Sequence, residues 1–137
     1  MPGPRPLVHE LAAGEPGLPA ARSQLRSWLT HAVEDTIARH DLLLAGTELC
    51  TEALERQPTA LVVLRAWVEH QAVVIEVTAP AGVPLHEVVP RIRAPRRDRR
   101  WRASILRQVC DEVSAAESGG ARTVRCRRLT GGGPRPG

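Results

Sequence analysis

The residues best suited to chemistry stand in one short run, Thr47-Glu48-Leu49-Cys50-Thr51-Glu52-Ala53-Leu54. Glu48 and Glu52 are four apart, so on a helix both carboxylates share one face, a turn from each other. Such a pair suits magnesium, which prefers hard oxygen ligands; otherwise it needs water or an arginine to relieve its own repulsion. Cys50, Cys110 and Cys126 are far apart in apolar contexts, with neither zinc-ligand spacing nor a disulfide framework. They read as buried thiols in a reducing compartment. His9, His31, His40, His70 and His86 form no ligand-spaced cluster, and Ser104 has no glycine elbow to present it as a nucleophile.

Arginine supplies the remaining chemistry. All 19 basic residues are Arg and none is Lys, which a GC-rich coding bias accounts for. Residues 1–90 hold 6 Arg against 11 acids, and residues 91–137 hold 13 Arg against 4, so the positive field sits in the C-terminal third. Residues 91–107 alone carry 8 Arg and the single acid Asp98. Such a run attracts nucleic acid or an acidic protein surface, or it merely solubilises a proline-rich loop. With no Phe or Tyr and no evident recognition helix, nucleic acid is the weaker choice. Arg96, Arg97, Arg99 and Arg100 are therefore the candidate partner-binding residues. No signal peptide or apolar run of membrane-spanning length is present, and a cytoplasmic location is expected.

The elements that must position these groups follow from periodicity. Residues 1–19 read as a Pro/Gly-rich tail with at most one short strand at 7–11, residues 20–129 as one domain, and 130–137 as a second tail. Leu25, Trp28, Leu29, Ala32, Val33, Thr36 and Ile37 recur at helical steps and predict a helix ending near His40. Leu42, Ala45, Leu49 and Ala53 predict another, stopped by Pro58. Two β-branched runs, 60–69 and 72–78, flank His70-Gln71 as a hairpin, although His-Gln is a poor two-residue turn. A short helical piece fits at 85–92. Trp101, Ile105, Leu106, Val109, Cys110 and Val113 predict a long helix over 101–117 ended by Gly119-Gly120, before a last strand at 122–129. Trp28, Trp67 and Trp101 are the large aromatic candidates for the core. This order predicts a two-layer α/β (α+β) sandwich, a mixed, mainly antiparallel sheet covered on one face by about three helices.

Together these motifs resemble the ATP-binding domain of the histidine-kinase, gyrase and heat-shock-protein-90 superfamily, and more narrowly the anti-sigma-factor serine kinases of actinobacteria. The run at 47–54 is similar to that family's Ser-Glu-Leu-Val-Thr-Asn-Ala helix motif. By that resemblance Glu48 stands where the family keeps its catalytic base, and Glu52 where it keeps its magnesium-binding asparagine. The family's adenine-binding aspartate falls on Ala79 or, with a shift of one, Thr78, and a glycine of that motif on Gly82. Its glycine-rich phosphate segment corresponds to residues 99–106, including Arg102, where no glycine stands. A lost carboxylate removes a charge-assisted hydrogen bond to adenine worth about 1.5 to 3 kcal/mol. The resemblance thus implies a degenerate relative: no assigned catalytic residue, no ATP or magnesium as cofactor, Trp101 filling the cleft, and a regulatory role through a protein partner. That partner is a sigma factor, an antagonist or a small transcription regulator, with a homodimer also open. The alternatives are an ATP-dependent serine/threonine kinase with altered motifs and a basic nucleic-acid-binding protein.

Overall fold

The computed structural model describes residues 4–11, 17–56, 60–80 and 104–130. Along the chain come β1 (Leu7–Leu11), α1 (Gly17–Ala32), α2 (Thr36–Arg56), β2 (Val62–Glu69) and β3 (Ala72–Pro80). A short helix, α3 (residues 104–109), then leads into β4 (Glu112–Ser118) and β5 (Ala121–Leu129). The strands form one sheet in the order β1-β2-β3-β5-β4, and each neighbouring pair is antiparallel. The expected two-layer α+β arrangement is the one observed, with the sheet starting inside the segment read as a tail.

Alternation along the strands assigns the faces. Val62, Leu64 and Ala66 of β2, Val73, Ile75 and Val77 of β3, and Cys126 of β5 point inward and join one buried cluster with α1 and α2. The helices contribute Ala21, Leu25 and Leu29 from α1 and Ala38, Leu42, Ala45, Leu49 and Cys50 from α2. Gly46 is what lets the two helices approach: a Cβ there would collide with the Leu25 side chain and touch Ile75 on its other side.

The boundary between the first two helices differs from expectation. The predicted single helix to His40 is interrupted at residues 33–35, and His40 and Asp41 lie inside α2. Asp35 is the cause, because its Oδ1 accepts the Ile37 N–H at 3.0 Å and so caps the new helix. Ile37, placed by periodicity on the buried face, is consequently 68% exposed.

The hairpin of β2 and β3 is present, and its turn is strained as the sequence suggested. His70 and Gln71 take φ of 45° and 63°, the left-handed conformation that both central positions of this turn demand. Replacing the pair by Asn-Gly should stabilise the domain by roughly 1 to 2 kcal/mol, read as a higher urea midpoint at unchanged slope.

The long C-terminal helix is not formed. Only 104–109 is helical, and residues 112–118 are strand, joined to β5 by Gly119 and Gly120 at φ of 59° and 76°. The glycines are a hairpin turn, not a helix cap. All seven residues of β4 are exposed. Trp67 also departs from its expected place: it lies on the sheet face away from the helices, half-buried, with the Arg125 guanidinium 5.5 Å from its ring centre. The predicted helical piece at 85–92 lies outside the described residues.

Candidate functional site

Among the described residues, concave regions meet α2 on two sides, one beneath it and one outside it. Under α2, Glu52 projects toward the β3–β5 side of the sheet. Its Oε1 lies 3.2 Å from Arg56 Nε and 3.4 Å from Arg122 Nη2, so one carboxylate oxygen serves two guanidinium groups. Arg122 comes from β5, opposite Ala79 in register, and its Nη1 is also 3.9 Å from Glu117. Thr47 and Thr51 turn their hydroxyls back to the carbonyls of Leu43 and Thr47, each at 2.7 Å, and stay within the helix surface. Glu48 is half-buried one turn before Glu52.

Of the two candidate adenine positions, only Ala79 faces this region. Ala79 is 8% exposed and belongs to the inner cluster, whereas Thr78 points to the opposite sheet face, where its Oγ1 pairs with Thr123 Oγ1 at 3.1 Å. A Thr78 hydroxyl directed at a purine in the cleft is therefore excluded by the pleat. The cavity enclosed by Leu49, Glu52, Ala53, Val77, Ala79 and Arg122 amounts to about 20 Å³. That is room for one water; pockets for small molecules run to roughly 300–1,000 Å³. Gly82, Arg96, Arg97, Arg99, Arg100, Trp101 and Arg102 lie outside the described residues.

The second region is a groove of about 540 Å³ between α1 and α2, on the side away from the sheet. Arg22 and Arg26, one turn apart on α1, form one wall; Arg39 and His40 of α2 form the other. Leu29, Leu43 and Leu44 line it with apolar surface, and among the described residues no carboxylate side chain does. Arg39 is held in place, its Nη2 donating to Glu34 O at 2.9 Å, while its buried Nε finds no partner. Arg22 and Arg26 pair with no carboxylate among the described residues. The family resemblance points to the first helix and its neighbour as a candidate surface for a partner or a second copy, but names none of these residues. The groove's one linear signal is the four-residue spacing of Arg22 and Arg26; Arg39 joins them only through the packing of α1 on α2.

No protein-family profile matches the chain, and no curated protein matches its sequence. Among solved structures, it is similar to the RsbU and RsbW domains of Rv1364c from Mycobacterium tuberculosis, with a TM-score of 0.68 over 90% of this chain. Identity is 18%, and the match spans 32% of that chain, so this protein covers about a third of its neighbour's length. The likeness is one of fold. It agrees with the two-layer α+β fold expected from the sequence.

The resemblance of the helix motif implies a nucleotide and magnesium, and two of the described positions lack what these would need. Glu52 is shared by two arginines, and Ala79 offers adenine no acceptor. Titration calorimetry with ATP and magnesium should show no saturable heat up to about 1 mM nucleotide. A site with the family's full complement would give a clear isotherm in that range. Among the described residues there is also no cluster of His, Cys, Asp and Glu able to hold a metal ion, and no helix is long and apolar enough to cross a membrane.

Proposed function

We propose that this chain is a non-catalytic regulatory module that binds a protein partner in bacterial transcription control of the sigma and anti-sigma-factor type. The observation that carries this reading is the α1–α2 groove: three arginines and a histidine around an apolar floor, with no carboxylate among its described lining residues. A partner segment bearing acidic and leucine-like side chains complements it in both charge and shape. The solved neighbour includes an RsbW domain, and sharing its fold supports a place among such regulators. The collapsed space under α2 supports occupancy of a partner over phosphorylation of it.

On this reading the protein is cytoplasmic and belongs to a degenerate, actinobacterial-type branch of that fold, its domain taken as residues 20–129 together with β1. Arg96, Arg97, Arg99 and Arg100 remain a second proposed contact, adding steering to an acidic surface. The test is capture from the native cytoplasm followed by mass spectrometry. It compares the wild type with Arg22→Glu/Arg26→Glu and with a reversal of Arg96, Arg97, Arg99 and Arg100. A sigma factor, its antagonist or a transcription regulator lost on the first reversal supports the proposal. Capture indifferent to it, or phosphate transfer to the captured protein, defeats it.

A further inference from the structure

Three bonds lay the chain between α3 and β4 flat against the end of β5. Arg128 Nη1 donates to Val109 O at 2.7 Å, Asp111 N to Arg127 O at 2.8 Å, and Leu129 N to Asp111 Oδ2 at 2.7 Å. The Arg128 guanidinium is itself anchored by Asp41 of α2 at 2.6 Å. Cys110, between the two tethered residues, is 8% exposed and enters the core cluster. Cys126 lies two residues before Arg128 on the same inward face of β5, fully buried in that cluster. The two thiols, sixteen positions apart in the sequence, thereby become neighbours in one buried cluster.

The pair is also polarised. The neighbouring Cys126 thiol and then the nearby Arg128 charge hold the Cys110 thiol below its ordinary value, against its burial. The Cys110 thiol, with burial, pushes Cys126 up. Cys50, the remaining thiol, has only burial acting on it and is pushed up to about 12. Thiolate character, an adjacent cation, a neighbouring thiol and access to solvent distinguish a reactive cysteine from an inert one. Of the three thiols Cys110, 8% exposed against 0% for Cys126 and 1% for Cys50, is the one that reaches the surface.

We infer that Cys110 and Cys126 are a reactive dithiol, which a peroxide converts into an intramolecular disulfide across the base of the β4–β5 hairpin. Cys110 attacks as thiolate: an S–O bond forms, the O–O bond breaks, and the departing hydroxide takes a proton to become water. The Cys126 thiol then attacks the Cys110 sulfenic sulfur, forming the S–S bond as S–O breaks and a second water leaves. The two thiols are oxidised by two electrons and one peroxide is reduced. In a reducing compartment the bond is transient, which is the behaviour of a sensing pair and not of a structural staple. This inference does not depend on the partner-binding reading.

The test uses the intact folded chain treated with hydrogen peroxide, alkylated after denaturation and weighed. The expected product has lost about 2 Da, retains one alkylatable thiol, and runs as the same oligomer as the untreated chain. Digestion after arginine should then join the peptide of residues 108–122 to that of residues 126–127, with Cys50 alkylated. Cys126→Ser should stop at a sulfenic acid on Cys110 that a dione probe traps, and Cys110→Ser should give neither product. A bond to Cys50, a bond between molecules, or a wild type that keeps all three thiols overturns the assignment. Because the mass and the linked peptides are read on the wild type, poor folding of a variant does not blur the result.

Discussion

Arg22→Glu/Arg26→Glu should weaken binding of the captured partner by at least about 100-fold, since reversal both removes attraction and sets like charges against an acidic surface at a cost of several kcal/mol. The melting curve should hardly move. Both side chains are exposed on α1 and pair with no carboxylate among the described residues, so the fold loses nothing that they supply. Surface titration of the immobilised partner against each protein measures the effect. Raising the salt should weaken the wild type toward the variant, because the steering part of the attraction is screened. Arg39→Gln is a different case: its Nη2 also bonds the Glu34 carbonyl at the start of α2, so some stability should be lost along with affinity.

Ile75→Ala should destabilise the domain by about 3 to 4 kcal/mol, a large share of the roughly 5–15 kcal/mol that hold such a domain together. Ile75 is fully buried at the middle of β3, between Ala66 of β2 and Cys126 of β5, and reaches up to Gly46 of α2. Truncation leaves a void that no exposed neighbour can swing in to fill. Urea unfolding followed by circular dichroism reads the change as a lower midpoint. A loss under about 1 kcal/mol would mean that α2 settles onto the sheet, and that Gly46 spaces the helices more loosely than the Leu25 contact indicates.

The hairpin of β2 and β3 was readable because its evidence is local: alternating β-branched residues on either side of a two-residue break. The inner row of Val62, Leu64 and Ala66 and that of Val73, Ile75 and Val77 fall where alternation placed them. The region of residues 110–118 was not readable in the same way. Val109, Cys110 and Val113 continue the helical spacing of Ile105 and Leu106, and Ala115, Ala116 and Glu117 are good helix formers. What makes this stretch a strand is its pairing with β5, a tertiary fact that overrides propensity. At the α1–α2 junction the signal was present but outweighed, since Asp35 followed by Thr36 is a cap sequence lying inside an apparently continuous apolar stripe.

The site divides along the same line. Glu48 and Glu52 were visible as a pair because four residues on one helix keep neighbours together. Arg122, which meets Glu52 from β5, is seventy positions away and had no linear signal. The choice between Thr78 and Ala79 turned on the pleat, which alternation alone does not anchor until one face is known to carry the helices. The closeness of Cys110 to Cys126 depends on a hairpin that the helical reading of residues 101–117 concealed.

The two margins of the sheet are unlike. At β1, α1 packs alongside, and the Trp28 indole donates to the Arg5 carbonyl at 2.7 Å, lacing the strand's approach to the helix. At β4, the outermost strand is bare along its full length. Deuterium should therefore enter the sheet from one side, fastest into β4 and slowest into β3. Opening of the domain would begin as a peeling of that margin, with the helical layer still seated.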